Sequence, residues 1–171
     1  MAALKDMQLE VPLHIYAADG QLMKEFGGQR RIPVRHEDIP PLVTNAFLAA
    51  EDARFYEHPG VDYRGMARAI KHSLTTNERA QGGSTITMQL ARNLFLNNDR
   101  NYTRKIREIF ISFKMEKRLT KNEIMALYLN KIFLGHQSYG VGAAAKTYYG
   151  KTLNELTIAQ VATIAGLPKA P

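Results

Sequence analysis

Cysteine and tryptophan are both absent from this chain of 171 residues. Without cysteine there is neither a disulfide framework nor a thiolate metal site, and the redox compartment is left open. No run of about 18 or more apolar residues occurs, so the chain as written has no membrane span, and no secretory leader opens it. Repeats and low-complexity segments are also missing. Acidic residues are in deficit: 16 Asp and Glu stand against 23 Lys and Arg, a formal charge of +7. That excess favours nucleic acid, acidic lipid or a phosphorylated substrate, and charge alone does not choose among them. The lack of tryptophan, of an aromatic RNA platform and of a DNA-reading motif argues against nucleic acid as a partner. What is present, 45% hydrophobic and 23% charged residues, suits one domain with one core. Both ends, Met1-Ala2-Ala3-Leu4 and Leu167-Pro168-Lys169-Ala170-Pro171, read as cuts through a longer protein.

Leu13 to Tyr16 and Leu22-Met23, separated by Asp19-Gly20, predict a short hairpin within an N-terminal linker over 1–37. After Pro40-Pro41 the period becomes helical: Val43, Ala46, Phe47 and Ala50 form a stripe, and Leu42, Leu48 and Ala49 make the helix apolar nearly all round, predicting burial. A second helix starts from Asp62 as N-cap and dissolves at Thr75-Thr76-Asn77-Glu78, and a third opens at Gly82-Gly83-Ser84 with Ser84 as N-cap and Ile86, Leu90 and Leu94 as core stripe. Ile106, Ile109, Phe110 and Phe113 mark a basic amphipathic helix from Tyr102 to about Leu119. Thr120 with Glu123 is a capping box for a fifth helix carrying Ile124, Leu127, Tyr128 and Phe133. A small-residue helix after Tyr139 stops at Gly150, and a last apolar helix covers Leu156 to Leu167.

Glu51 and Asp52 end the first helix, where the helix dipole opposes negative charge by roughly 0.3–1 kcal/mol. Such a pair is ordinarily solvated, yet a carboxylate kept at an unfavourable place on an apolar helix is also where catalysis could sit. Thr85, Gln89 and Arg92 share one polar face of the third helix, and its Gly-Gly-Ser entry is either an ordinary cap or a cradle for a phosphate or sugar oxygen. Arg100, Arg104, Lys105 and Arg107 cluster ahead of Glu108, either as a charged surface or as a cationic cradle for a diphosphate. His58 and His136 lack ligand spacing and suit structural or hydrogen-bonding roles.

These segments together resemble the family 51 glycosyltransferases, the peptidoglycan glycosyltransferase domain of class A penicillin-binding proteins. The resemblance runs from about Ile39 to the last residue. Glu51-Asp52-Ala53-Arg54-Phe55-Tyr56-Glu57-His58-Pro59-Gly60-Val61-Asp62 fits E-D-x-x-F-x-x-H-x-G-x-D. Gly82 to Leu90 is close to G-G-S-T-I-T-Q-Q-L, with Met88 where the family usually has the first glutamine. Arg104-Lys105 through Glu108, Glu116-Lys117, Tyr128-Leu129-Asn130, Tyr139-Gly140-Val141 with Ala144-Ala145, Tyr148-Tyr149-Gly150-Lys151 and Ala165-Gly166-Leu167-Pro168-Lys169-Ala170-Pro171 follow in order.

The resemblance implies a mainly α, lysozyme-like glycosyltransferase domain over 38–171 with a membrane-facing jaw near 63–79. A transmembrane anchor would precede this piece and a transpeptidase domain would follow it. It implies polymerisation of lipid II onto a nascent glycan chain at the outer, periplasmic face of the bacterial inner membrane, with Glu51 as catalytic base and Glu108 as a second catalytic carboxylate. Asp52, Arg68, Ser84, Thr85, Gln89, Arg92, Arg100, Arg104 and Lys105 are carried over as substrate-binding residues. It implies no tightly bound cofactor, a divalent cation (Mg or Mn) on the substrate diphosphate, and inhibition by phosphoglycolipids of the moenomycin type. The competing reading is a lysozyme-like, murein-cleaving lytic transglycosylase, which would need the glutamate but not so many arginines.

Overall fold

The computed structural model describes residues 13–26, 30–76, 83–96 and 102–169. Among them the chain is mainly α, with seven α-helices and two small two-stranded sheets. Strands β1 (Leu13–Tyr16) and β2 (Leu22–Phe26) pair antiparallel, Leu13 opposite Phe26, across the expected Asp19-Gly20 turn. Gly20 takes φ +82° there, and Asp19 Oδ1 accepts the Gln21 amide at 3.0 Å. Strand β3 (Arg30–Arg31) runs parallel to β4 (Ser138–Tyr139). The Asn130 side chain also grips both the amide and the carbonyl of Val34 at 2.8 Å, so the segment before residue 38 is tied to the helical body.

Helix α1 (Pro41–Glu51) buries Val43 and Phe47, but Leu42 and Ala49 are exposed. It is therefore buried along one stripe and not all round; its many alanines read as apolar without demanding burial. Helix α2 (Tyr63–Thr76) begins at Asp62 as expected, the carboxylate accepting the Gly65 amide at 2.9 Å. It continues through Thr75 and Thr76, further than the sequence reading ended it; Asn77 and Glu78 lie outside the described residues.

Helix α3 (Ile86–Phe95) is the hub against which α4 (Tyr102–Glu116) and α5 (Lys121–Lys131) pack. Its N-cap is Thr85 and not Ser84: Thr85 Oγ1 accepts the Met88 amide at 3.1 Å, and Ser84 is left one residue outside the helix. Ile86 and Leu90 are buried as expected, and so is Met88, whose thioether belongs to the interior. Helix α4 turns its face the unexpected way. Glu108, Ser112 and Met115 point inward, while Ile106 and Phe110 are 55% and 69% exposed.

Helix α5 carries the expected capping box, Thr120 N–H to Glu123 Oε2 at 2.7 Å and Glu123 N–H to Thr120 Oγ1 at 3.2 Å. Phe133 falls beyond its end, bridged to Tyr139 instead. Helix α6 (Val141–Tyr149) stops at Gly150 in the left-handed region. Its small residues are required by proximity: a Cβ on Gly142 would lie 2.4 Å from the Ile32 carbonyl oxygen. Helix α7 (Ile158–Gly166) is trimmed by short 3₁₀ turns on both sides and packs on α1. One core runs through Phe47, Leu90, Ile124, Tyr128, Leu129 and Ile164. No helix among the described residues is long and apolar enough to cross a membrane.

Because Thr85 supplies the cap, Thr85→Ala is expected to cost about 1–2 kcal/mol in urea unfolding. Ser84→Ala should cost well under half of that; equal losses would return the cap to Ser84.

Candidate active site

Asp52 ends α1 with φ −160° and turns its carboxylate toward the start of α3, where Oδ2 accepts the Ile86 amide at 3.0 Å. This resolves the electrostatic puzzle of an acidic pair at a helix C-terminus. The carboxylate that closes α1 sits on the first amide of another helix, where dipole and unpaired N–H groups favour an anion. His58 Nε2 donates to the same carboxylate at 3.0 and 3.1 Å, both side chains buried. A carboxylate only accepts, so the ring carries its hydrogen on Nε2.

Glu51, one residue earlier, is half-buried. Its Oε2 accepts from Gln89 Nε2 at 2.8 Å, while Oε1 is buried with no hydrogen-bond partner among the described residues. Gln89 Oε1 in turn accepts from the Tyr128 hydroxyl at 3.3 Å. Burial, and after it the negative charge of Glu51, push that phenol well above its ordinary value of 10.0; Arg92 opposes them and Asp52 adds to them. Arg92 therefore lies within electrostatic reach of the same corner.

A second cluster is built on α4. Glu108 is 1% exposed, with Arg104 Nε 3.3 Å from Oε1 and Lys105 Nζ 3.2 Å from Oε2. Lys105 also donates to Ser84 Oγ at 2.7 Å. A buried carboxylate is tolerated when paired, and here it fixes two cations beside the N-terminal end of α3 while leaving positive charge over. Among the described residues no group of three His, Asp or Glu side chains could hold a metal ion. Glu108, already facing two cations, does not fit the role of a metal ligand.

The loop between α1 and α2 explains the remaining letters of the first signature. Phe55 is buried under Lys121, whose Nζ lies 4.4 Å from the ring centroid and donates to the His58 carbonyl at 2.7 Å. Gly60 has φ +94°, its carbonyl accepts from Thr85 Oγ1 at 2.6 Å, and an added Cβ would lie 3.2 Å from the Ser112 carbonyl oxygen. Glu116 accepts from both Thr87 and Lys121, at 2.6 and 2.8 Å. Arg54 and Asp62 close the loop as an ion pair.

The structure thus brings Glu51, Asp52, Thr85 and Gln89 together at one corner and Ser84, Arg104, Lys105 and Glu108 at the next. Asp52 and Thr85 spend their polar atoms on protein partners, so their part is to hold the frame. Arg68 is exposed on α2, joined to neither cluster among the described residues. Arg100 lies outside the described residues. Tyr128 and Glu116 stand within the family's signatures but were given no role from the sequence, which missed the Tyr128–Gln89 bond and the Thr87–Glu116–Lys121 brace. The spacing of Tyr128 matches a packing stripe, and nothing local marks its hydroxyl.

Burial alone would raise the Asp62 carboxyl, but the Arg54 hydrogen bond, the Gly65 amide and the charges of Arg54 and His58 hold it below 3.8. A lowered folded-state value means stability present above the unfolded pKa and lost as pH falls through the folded one. Asp62→Asn should therefore be less stable than the parent at pH 7, and the two should converge only below pH 3.8. A gap that persists to pH 2 would assign the effect to packing.

The transglycosylase family model matches residues 19–171. Penicillin-binding protein 1A of Escherichia coli (strain K12) is 54% identical over the whole chain and 20% of its own length. That of Haemophilus influenzae is 55% identical over 96% of this chain and 19% of its own, and that of Pseudomonas aeruginosa 50% over 99% and 21%. A crystal structure of the Haemophilus influenzae protein matches with 35% identity over 96% of this chain and 15% of that one, at a TM-score of 0.47. The chain spans about a fifth of the length of these curated relatives. With a family match reaching from the hairpin turn to the last residue, and half-identical relatives along its full length, the chain belongs to the transglycosylase family.

Proposed function

We propose that this chain is the glycan-polymerising domain of a cell-wall enzyme of the penicillin-binding protein 1A kind, using lipid II and a nascent glycan whose reducing end carries undecaprenyl diphosphate. The observation that carries the reading is Glu51: one oxygen is held by Gln89, the other is buried with no hydrogen-bond partner among the described residues, and Arg92 reaches the same corner electrostatically. A general base needs an oriented carboxylate with one oxygen able to accept a proton.

In this reading the GlcNAc 4-hydroxyl oxygen of lipid II attacks C1 of the donor MurNAc, and its proton passes to Glu51. The bond from C1 to the diphosphate oxygen breaks on the opposite face, giving inversion and a β-1,4 link. Arg104, Lys105 and Arg92 stabilise the charge gathering on the departing diphosphate, and Glu108 fixes the first two. Any Mg²⁺ or Mn²⁺ would arrive with the diphosphate. Phosphoglycolipids of the moenomycin type would compete for the same cations. The remainder of the protein would supply a membrane anchor and a transpeptidase domain, with this domain on the periplasmic face of the inner membrane.

Glu51→Gln should bind lipid II with unchanged affinity while polymerisation of labelled lipid II in detergent falls by about three orders of magnitude or more, since base and orientation are lost together. Arg92→Ala should weaken binding of a lipid diphosphate instead. Near-normal turnover of Glu51→Gln would remove it from the role.

The outward face of α4 supports a membrane surface as partner. Ile106 and Phe110 are exposed with Arg107 between them, and Tyr63 on α2 stacks on Phe113 at 6.5 Å. Apolar side chains beside a cation suit the interface of an anionic bilayer. Ile106→Ser with Phe110→Ser should lower partition onto vesicles containing anionic lipid by about tenfold or more, and an unchanged partition would move the contact elsewhere.

A further inference from the structure

Gln89 was carried over as a substrate contact, but its side chain is buried and both ends of its amide are taken within the protein. An ionised Glu51 accepts and cannot donate, so the Gln89 atom facing it must be Nε2, and Oε1 must face away. A terminal amide can turn over about its last bond. Turned over, it would set a carbonyl oxygen against a carboxylate, repulsive and without a hydrogen. The group that meets Oε1 on the far side is the Tyr128 hydroxyl.

Tyr128 lies in the core on α5, edge-on to Phe47 with ring centroids 6.1 Å apart. Core packing holds the ring, and the ring holds its hydroxyl. Burial and the neighbouring Glu51 charge keep the phenol protonated, so it is a donor throughout the range in which a carboxylate base works. At 3.3 Å the bond to Gln89 is loose and sets direction more than it binds.

The geometry points to Tyr128 as a positioning residue for Glu51: by donating to Gln89 Oε1 it fixes the amide with Nε2 toward the carboxylate, orienting the base and stabilising its ionised form. This rests on the reading of Glu51 as the base. Gln89 is then the middle link of a Tyr–Gln–Glu chain that runs from the core to the reacting atoms, and the substrate meets only its last member.

The charged groups that reach the Tyr128 hydroxyl are Glu51 and Asp52 from α1 and Arg92 from α3, with His58 on Asp52 the next titrating neighbour. Of these, Glu51 is the one bonded to Gln89. Losing the fixed donor makes the carboxylate easier to protonate, so the acid limb of the rate profile moves up in pH. A weakened hydrogen bond corresponds to roughly half to one pH unit.

The test is the pH dependence of kcat/KM for lipid II polymerisation by the intact protein in detergent. Tyr128→Phe keeps the ring and removes the hydroxyl; Phe47→Leu loosens the same packing and leaves the hydroxyl. The expected result is an acid limb raised by about half to one unit in Tyr128→Phe, raised at least as far in Gln89→Leu, and unmoved in Phe47→Leu despite a lowered Tm. An acid limb in Tyr128→Phe that coincides with that of the parent overturns the proposal. If that variant does not fold, replacement of Tyr128 by 3-fluorotyrosine keeps the ring and makes the hydroxyl a stronger donor to Gln89: the acid limb should then move down in pH, and a limb coinciding with that of the parent overturns the proposal. Glu51→Gln separates the two failures. An inactive Glu51→Gln with unmoved limbs sinks the relay and keeps the base, whereas an active one sinks both.

Discussion

The carboxylate of Asp52 is the fixed point of this domain. It takes the first amide of α3 and the ring of His58, so the end of one helix, the start of another and the intervening loop meet on two oxygens. A buried anion needs such partners to be tolerated, and the partners in turn leave it no freedom. Since Glu51 is the preceding residue, its place relative to α3 follows from that anchoring.

Around this point the polar interior is organised in two corners and a brace. Gln89 and Tyr128 define the corner of Glu51; Ser84, Lys105, Arg104 and Glu108 define the cationic one; Thr87, Glu116 and Lys121 brace the loop behind them. All three use α3 or the two residues before it. A displacement of α3 would therefore disturb base, cations and loop together, which is why this helix is buried on its polar side as well as its apolar one.

The reversed face of α4 belongs to the same economy. Its inward positions carry Glu108, which is paired with Arg104 and Lys105 of the same helix, and Ser112, whose Oγ donates back to the Glu108 carbonyl at 2.6 Å. The apolar residues Ile106 and Phe110 are left outside. Hydrophobic periodicity located the helix but not its partner, since the pattern records which residues are alike and not what lies opposite them.

Several features were legible in the sequence because their causes are local. The Asp19-Gly20 turn, the Thr120–Glu123 box, the Asp62 helix entry and the Gly150 stop each depend on residues within a turn of one another. The ordered signatures, from Glu51 to the last residue, also sufficed for the family. Tertiary structure alone decided that Thr85 and not Ser84 caps α3, that Asp52 and Thr85 serve the frame, that Tyr128 reaches Gln89, and that Ile106 and Phe110 of the α4 stripe face outward while Ile109 and Phe113 are half-buried. The cap itself is local, but the same Thr85 hydroxyl also donates to the Gly60 carbonyl, and the bonds of Asp52 and Tyr128 likewise join residues tens of positions apart. The worth of a hydroxyl or carboxylate is set by what it meets in space, and one-dimensional spacing records chemistry without recording the encounter.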